Sequence, residues 1–524
     1  MKAELRDSLE FLFSDSLVAD PARRTAALDV ARGATAAVHL LVNGLRPRVE
    51  IRLGLERAGR PVRGARWFRL VDVPVEVNTG PVGFVEREGE RNPHVIRRAP
   101  FRVYDAMEPV EGRVTAASAT LALRLHLPVP TDARAGRTRY VIVVRSGAGE
   151  QRLVLDVQVH PARIPSVGPR SFPYTNWFSV DQMAARHGIK PWSEAHWRMI
   201  GRYARLMVHA RQNMFWVPLS LIFTRRPSGP ELDRQRLRRL VRVFSSAGMH
   251  FIEGGHFAHR TGGEWLAKTF DLSVVGLRAS SPEGYAALAR MARALREEIE
   301  RNGWRERWVQ HVADEPIGEN AHDYRLVAGA LRKHLPGLPI LDATMHEEVA
   351  GAVDWWCPQA QEFQKHREFF ESQRRLGDRV LFYTCCFPGG PWLNRLLDME
   401  LLRPALYGWA AALFRLDGFL HWGLNHYKED QDPFRQSVVA HGGNNSLPAG
   451  DTHIVYPGRE GPWSSVRLEA QREGFEDYEL LRAMEAERPR AAASILGRVI
   501  RGFDDYTKDP RILRAARRDL LRNS

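Results

Sequence analysis

The sequence predicts an α/β protein in which a (β/α)8 barrel follows an N-terminal β-sandwich and precedes a helical C-terminal extension. Short, closely spaced strands near the N-terminus predict the sandwich, and a later alternation of apolar strands with amphipathic helices predicts the barrel. The length, 524 residues, exceeds the roughly 250 residues of one barrel. We predict a sandwich at 1–165, a barrel at 166–485 and a helical tail at 486–524.

The composition indicates a folded chain with a large core. Hydrophobic residues make up 44% and charged residues 26%, which excludes disordered, collagen-like and coiled-coil chains. The cysteines Cys357, Cys385 and Cys386 are too few for a disulfide framework. Charged residues such as Glu4 and Asp7 interrupt the start of the chain, unlike a signal peptide, and no segment approaches the roughly 18 apolar residues of a membrane span. We expect a cytoplasmic protein without a membrane span, or a secreted or periplasmic one if a leader was removed.

The net charge of +14 raises the question of a nucleic-acid partner. The 76 basic residues include only seven lysines and are spread over the whole chain. The densest basic segment, residues 234–242, interleaves Arg with Leu and Val at helical spacing, which is typical of the solvated face of an amphipathic helix. No basic run is free of such periodicity, so we predict no nucleic-acid partner and keep nucleic-acid binding as the third hypothesis.

Residues 25–165 contain short runs of Val, Leu and Ile that are broken by Gly, Pro and Asn. Runs such as AAVHLLVNG, ATLALRLHLPVP and RTRYVIVVRSG predict the strands of the sandwich. The segment PARIPSVGPRSFP, with four prolines, predicts a linker to the next unit.

Beyond residue 171, apolar runs alternate with long amphipathic segments. Those segments open with Ser, Pro or Glu and several close at Gly, the expected capping chemistry of helices. A long polar loop at 425–461 is predicted to be functional, and helices fill the chain from Trp463. The eight predicted strands are 172–178, 213–219, 249–255, 307–314, 339–343, 353–357, 379–385 and 418–424.

The functional side chains of such a barrel are expected where its strands end. These positions are rich in carboxylates, Trp and Tyr, a combination typical of carbohydrate sites because flat apolar rings stack on sugars. For any one aromatic residue, and for His421, a place in the core is an equally good explanation. The predicted substrate-binding residues are Asn176, Trp216, His256, Trp356, Gln359, Tyr383, His421, Trp422 and Asn425.

The strongest signal is the segment HVADEP, in which Asp314 and Glu315 end the fourth predicted strand. Neighbouring buried carboxyl groups raise each other's pKa, which leaves one protonated and one ionised near neutral pH and suits glycosidic bond cleavage. Pro316 disfavours the α conformation at Glu315 and predicts an extended chain there. The alternative is that both acids cap the following helix.

Two longer segments, at 380–427 and 448–481, carry a resemblance to a known family. With the DEP motif, VLFYTCCFPGG, GFLHWGLNHY and the later YPG to EDYELL segment resemble the catalytic domain of glycoside hydrolase family 123 and its uncharacterised relatives. The resemblance spans roughly residues 170–485. It implies a retaining exo-β-N-acetylgalactosaminidase that works by substrate assistance, on a barrel preceded by a β-sandwich.

By that resemblance, Glu315 protonates the leaving glycosidic oxygen and later takes a proton from water. Asp314 orients the 2-acetamido group, whose carbonyl oxygen attacks the anomeric carbon to form an oxazoline. Strand-end position, rather than a family motif, suggests Tyr383 as a donor to the acetamide oxygen and Trp356 and Trp422 as walls of the pocket.

We expect a glycan or glycoconjugate substrate, and the oligomeric state stays open. The alternatives are a glycosidase that acts on a sugar without a 2-acetamido group, and a non-catalytic carbohydrate-binding protein. The histidines of the loop after the last strand lack the i, i+4 pairing and the short Cys/His spacing of metal sites. We therefore predict neither a metal nor a cofactor.

Overall fold

The computed structural model describes residues 1–147 and 149–524 as a mixed α/β structure that is sheet-rich near the N-terminus and helical near the C-terminus. The N-terminal strands are β1 (Lys2–Asp7), β2 (Thr25–Arg32), β3 (Thr35–Asn43), β4 (Glu50–Arg57), β5 (Arg60–Pro61), β6 (Arg66–Val75), β7 (Phe101–Val110), β8 (Arg113–Thr115), β9 (Thr120–Pro128), β10 (Gly136–Ser146) and β11 (Gly149–Arg163).

These strands form two sheets, with the orders β1-β3-β9-β6-β7 and β2-β11-β10-β4-β5, and β8 pairs with β4. Buried residues of both sheets, such as Leu40 and Leu123 of the first and Ile142 and Leu155 of the second, belong to one apolar cluster. The sequence predicted no strand before residue 25, but β1 pairs antiparallel with β3 along its length. Its short apolar pattern is too weak to predict a strand without that partner.

The later elements alternate strands with helices. The strands are β12 (Tyr174–Asn176), β13 (Met214–Val217), β14 (Phe223–Arg226), β15 (Gly229–Leu232), β16 (Phe251–Gly254), β17 (Ala258–Arg260), β18 (Phe270–Leu272), β19 (Trp308–Gln310), β20 (Leu341–Asp342), β21 (Trp355–Trp356), β22 (Arg379–Val380), β23 (Phe382–Tyr383), β24 (Phe419–His421), β25 (Val439–His441), β26 (Asn445–Leu447), β27 (Tyr456–Pro457) and β28 (Pro462–Trp463). The helices are α1 (Val180–Arg186), α2 (Glu194–His209), α3 (Leu219–Ile222), α4 (Arg234–Ala247), α5 (Pro282–Arg301), α6 (Ala321–His334), α7 (Ala360–Lys365), α8 (Arg367–Arg375), α9 (Leu402–Phe414), α10 (Val466–Glu487), α11 (Pro489–Val499) and α12 (Pro510–Asn523).

Each of the eight predicted strands contains an observed strand, with β22 and β23 sharing the seventh. They pair in parallel in three groups, β12-β24-β23, β13-β16-β19 and β20-β21-β22. Side chains from all three groups pack in one buried cluster, among them Met214, Val309, Leu341, Leu381 and Leu420. Since neighbouring strands run in the same direction, their carboxyl ends lie along a common edge.

The basic helix α4 shows how the arginines are accommodated. The Asp233 side chain caps its start, and Arg234 and Arg238 each lie 2.7 Å from a carboxylate oxygen of Glu298. Arg239 pairs with Glu194 of α2 at 2.5 Å. Three arginines of this helix therefore pair with acids of neighbouring helices. Across residues 1–147 and 149–524, no helix is both long and apolar enough to cross a bilayer.

The C-terminal helices tie the two halves of the chain together. Helix α12 packs against β2 and β11, and α10 packs against β7. The Arg467 guanidinium of α10 reaches Asp105 of β7 at 2.8 Å, with both side chains buried. Arg472 pairs within α10 with Glu469 at 2.9 Å. The domain boundaries at residues 165 and 485 stay a prediction.

Candidate active site

Asp314 and Glu315 follow β19 at the carboxyl edge of the parallel strands. Glu315 has φ of 46°, in the left-handed region that non-glycine residues rarely adopt. The expected extended chain before Pro316 is therefore wrong: Glu315 avoids the right-handed α region but turns sharply instead. This turn interrupts the alternation that would point adjacent side chains to opposite faces. Such strained residues concentrate at functional sites.

The two carboxyl groups hold protons more strongly than isolated acids do. Burial and, after it, the neighbouring charge of Glu315 raise the pKa of Asp314 to about 7. Burial also raises the pKa of Glu315, against the Tyr383 hydroxyl and the Arg260 guanidinium, which lower it. The Asp314 side chain is nevertheless 49% exposed and Glu315 is half-buried, so water reaches the pair. A pair of this kind can keep one proton near neutral pH, as acid–base catalysis requires.

Tyr383 lies directly against the pair. It ends β23, and its hydroxyl donates a hydrogen bond to Oε1 of Glu315 and lies 3.7 Å from the Met345 sulfur. Gln359 lies beside it, because the backbones of the two residues form a parallel bridge, and Gln359 accepts a hydrogen bond from Gln361. The structure therefore brings Tyr383 to the carboxyl pair, with its hydroxyl bound to Glu315 in the unliganded site.

Tyr383→Phe should move the alkaline limb of the pH profile of kcat/KM to higher pH. The hydroxyl bonds to the ionised carboxylate and so lowers the pKa of Glu315; its removal raises that pKa, and Glu315 keeps its proton to higher pH. The rate of glycoside hydrolysis against pH measures the shift. Tyr407→Phe is the matched control, since Tyr407 is a buried tyrosine that bonds to Thr384 instead. An alkaline limb that does not move would contradict this assignment.

A buried hydrogen-bonded network lies behind the pair. His311 Nδ1 is 2.7 Å from Asp342 Oδ1, and His311 Nε2 is 2.9 Å from Glu253 Oε1. The Tyr324 hydroxyl donates to the other oxygen of Asp342 at 2.5 Å. Burial alone would lower the pKa of His311, but the bonds to Asp342 and Glu253 raise it to about 9. The resulting imidazolium opposes the rise in the pKa of Asp314.

His256 joins this network to the carboxyl pair. Its Nε2 is buried without a hydrogen-bond partner in the described chain and lies 3.8 Å from Oδ1 of Asp314. Ligand atoms of His256, His311 and Asp342 lie within 4.8 Å of one another, a spacing that could hold a metal ion. The raised pKa of His311 favours an imidazolium, which has no free lone pair for a metal. The group fits a hydrogen-bonded network better than a metal centre.

Trp216 lines the same region. It stacks on Trp177, with ring centroids 4.6 Å apart and planes 22° apart, and its ring meets the edge of His256 at 5.0 Å. Trp177 was not among the predicted substrate-binding residues, but its Nε1 donates to Glu253 at 2.8 Å. Both indoles are half-buried and lie next to His256.

The expectation that Trp356 forms a wall of the pocket is wrong. Its ring is fully buried against Phe369 and Phe370 of α8, and its Nε1 donates to Asp378 at 2.9 Å. Successive strand residues face opposite sides of a sheet, so Trp355 takes the inner position and Trp356 faces the helices.

The prediction that Asn176 and Asn425 bind the substrate is also wrong, because both side chains are fully buried and have structural roles. Asn176 accepts a hydrogen bond from Arg395 at 2.8 Å. The Asn425 side chain accepts from the backbone N–H of Ser179 at 2.9 Å and donates to its carbonyl oxygen at 3.0 Å. These amides hold loop backbone and core, and neither is available to a sugar.

Trp422 and His421 lie around Asp451. Trp422 is half-buried and donates to Asp451 Oδ1 at 3.2 Å, whereas His421 is fully buried with Nε2 at 3.7 Å from the same oxygen. The hydrogen bond with Cys386 and burial raise the pKa of the Cys385 thiol, and the charges of Asp451 and Glu315 raise it further.

Arg260 is a site residue that sequence reasoning missed. Its guanidinium donates to the backbone carbonyl of Glu315, and its charge lowers the pKa of both Asp314 and Glu315. It ends β17, whose Ala258 forms a parallel bridge with Ala313. Nothing in the local pattern of residues 258–260 distinguishes this arginine from the others of the chain.

Comparisons with known proteins identify the region that carries the carboxyl pair. Residues 264–484 match the model of the glycoside hydrolase 123 catalytic domain. This segment is a glycoside hydrolase 123 catalytic domain. It contains Asp314, Glu315 and Tyr383, and it confirms the resemblance seen in the sequence. A family 123 domain indicates a glycosidase, with a glycan as its substrate.

The fold of the whole chain agrees with this family. It matches a family 123 glycoside hydrolase from Clostridium perfringens, studied for glycolipid glycan hydrolysis, with a TM-score of 0.76 over 99% of this chain and 97% of that one. The identity is 12%, so this likeness shows the fold alone.

More distant structural matches include a β-glucuronidase from Parabacteroides merdae, with a TM-score of 0.34 and 9% identity over 91% of this chain and 52% of that one. A β-galactosidase from Rahnella sp. R3 matches with a TM-score of 0.37 and 9% identity over 60% and 57%. Both are too distant to support an argument. No curated protein sequence matches the chain.

Proposed function

We propose that this glycoside hydrolase is an exo-acting, retaining β-N-acetylgalactosaminidase that uses the substrate's own 2-acetamido group as its nucleophile. The observation that carries the proposal is the adjacent pair Asp314 and Glu315, which water can reach and whose pKa values are both raised. The pair stands within the family 123 domain at the carboxyl edge of its strands. Substrate assistance is a known exception to the two-carboxylate retaining scheme.

In the first step, the acetamide oxygen attacks the anomeric carbon while Glu315 gives its proton to the departing glycosidic oxygen. Asp314 accepts the hydrogen bond of the acetamide N–H and balances the positive charge of the forming oxazoline ring. In the second step, Glu315 takes a proton from water, whose oxygen attacks the anomeric carbon and reopens the ring. The gain comes from orientation, since a well-placed internal nucleophile replaces an external one.

Tyr383 and the network behind the pair support these roles. The Tyr383 hydroxyl, which bonds to Glu315 in the unliganded site, would instead donate to the acetamide oxygen once the substrate enters. The imidazolium of His311 favours the ionised form of Asp314, which the acetamide N–H requires. Trp216 and Trp422, both half-buried, are proposed to contact the sugar ring.

We also propose that the parallel strands close into a (β/α)8 barrel and that the N-terminal sheets form a β-sandwich. Two contacts support closure between the three groups of strands. Gln310 of β19 bridges in parallel to Ile340, next to β20, and the backbone N–H of Asn213, next to β13, donates to the carbonyl of Tyr174 in β12 at 3.1 Å.

A panel of aryl β-glycosides tests the function. We expect kcat/KM for the N-acetylgalactosaminide to exceed that for the matching galactoside by about 100-fold or more, because only the former carries the internal nucleophile. A thiazoline that mimics the oxazoline should inhibit competitively. Equal hydrolysis of both sugars, without thiazoline inhibition, would support a glycosidase that does not need the acetamido group. Binding of sugars without turnover of any glycoside would support the non-catalytic alternative.

A further inference from the structure

A rigid hairpin stands beside the carboxyl pair. It consists of β17, a loop at 261–269 and β18. The backbone N–H of Ala258 donates to the carbonyl of Val312 at 2.9 Å, and the N–H of Phe270 donates to the Asp323 carboxylate at 2.8 Å. Hydrogen bonds therefore join the hairpin both to the chain just before the carboxyl pair and to helix α6, which follows the pair.

The loop of this hairpin presents two large apolar side chains to solvent. Trp265 is 52% exposed and Leu266 is 65% exposed, although residues of this size are usually buried. The Arg260 guanidinium lies 4.1 Å from the centroid of the Trp265 ring and also donates to the carbonyl of Glu315. One guanidinium group thus separates the exposed indole from the backbone of the proposed acid.

The position of the acid assigns a side to each part of the substrate. The group that protonates the glycosidic oxygen must lie next to that oxygen, so the leaving group departs on the side of Glu315. The hairpin lies beside the backbone of Glu315, because the Arg260 guanidinium donates to its carbonyl oxygen. A leaving group that extends over this hairpin would meet Trp265 and Leu266.

We propose that Trp265, Leu266 and Arg260 form the subsite for the leaving group, and that the leaving group is a sugar whose ring stacks on the Trp265 indole. This inference rests on the proposed function, whose residues it does not include. The apolar face of a pyranose fits one indole, and Arg260 beneath the ring holds that indole in place. A surface already fastened at both ends also loses little conformational entropy when it binds.

A sugar fits this surface better than a lipid or a second chain. The patch consists of two neighbouring apolar side chains, with the exposed charged residues Glu264 and Lys268 on either side in the loop. This is the scale of one sugar ring, whereas surfaces that bind membranes or proteins expose larger contiguous apolar areas.

The test compares two substrates that share the N-acetylgalactosamine ring: a β-linked disaccharide with galactose as leaving group, and the methyl glycoside, whose leaving group is too small to reach the hairpin. Trp265→Ala should lower kcat/KM by about 10-fold on the disaccharide, the scale of one lost aromatic contact. On the methyl glycoside, kcat/KM of the same variant should stay within about twofold of the wild-type value. Trp265→Phe should restore most of the loss. Leu376→Ala, at an exposed leucine, is the control.

An equal loss on both substrates, or none on the disaccharide, would overturn the subsite. A loss confined to a glycolipid in vesicles would overturn it in favour of membrane contact, and a Trp265-dependent change in oligomeric state would overturn it in favour of a second copy. The wild-type protein is assayed first. If it cleaves neither substrate, the proposed function is overturned as well, and this outcome is known before any variant is compared.

Discussion

Glu315→Gln should lower kcat/KM for β-N-acetylgalactosaminides by about 100-fold or more, the usual scale for loss of a general acid. The amide is similar in size to the carboxyl group and can still accept the Tyr383 hydrogen bond, but it has no proton to give to the leaving oxygen. The loss in the first step should shrink for leaving groups of low pKa, such as dinitrophenolate, because these depart without protonation. Rates for a series of aryl glycosides measure this dependence.

Glu319→Gln is the matched control for this prediction. Glu319 lies four residues further along the same segment, with an exposed side chain. The variant therefore makes the same chemical change without touching the carboxyl pair, and it should keep the wild-type rate. Near wild-type activity of Glu315→Gln on all leaving groups would show that another residue supplies the proton.

Asp314→Asn should cause a loss of similar size, about 100-fold or more, but with a different signature. The neutral amide cannot balance the charge of the forming oxazoline, so the variant should bind the thiazoline inhibitor more weakly. Glu315→Gln should bind that inhibitor with nearly wild-type affinity, because it keeps Asp314, which accepts the hydrogen bond of the acetamide N–H. Inhibition constants for both variants, measured against the rate losses, separate the two roles.

The pH profile of Asp314→Asn gives a second readout. The charge of Glu315 raises the pKa of Asp314. Because like charges oppose each other's ionisation, removal of the charge at residue 314 should in turn lower the pKa of Glu315. Glu315 then loses its proton at lower pH, and the alkaline limb of kcat/KM should move to lower pH, opposite to the shift expected for Tyr383→Phe. Unchanged thiazoline binding and an unchanged limb would contradict the role of Asp314.

The site shows where prediction from sequence succeeds and fails. Asp314 and Glu315 were predicted because a pair of acids at the end of an apolar run is a local signal, and their catalytic roles stay a prediction. The prediction for Trp356 was wrong because its strand is only two residues long, and a shift of one residue turns a side chain to the opposite face of the sheet. Asn176 ends its strand and Asn425 lies four residues after the end of its strand, but burial and hydrogen bonds to distant residues make both structural.

Other residues depend on contacts that no local pattern contains. The pKa of His311 rises to about 9 only because Glu253 and Asp342, from two other strands, bond to its two ring nitrogens. Arg260 lies 55 residues before Glu315 in the chain and contacts it through a hairpin that the sequence did not predict.

The sequence by itself determined the alternation of the parallel strands with helices and the presence of two adjacent acids after one of these strands, because apolar periodicity and adjacent acids are properties of short segments. Only the tertiary structure decided which strand-end side chains face the pair and which proton each titratable group holds. The physical reason is that burial, charge and hydrogen bonding at Asp314 and Glu315 come from residues far apart in the chain, and these distances exist only after folding.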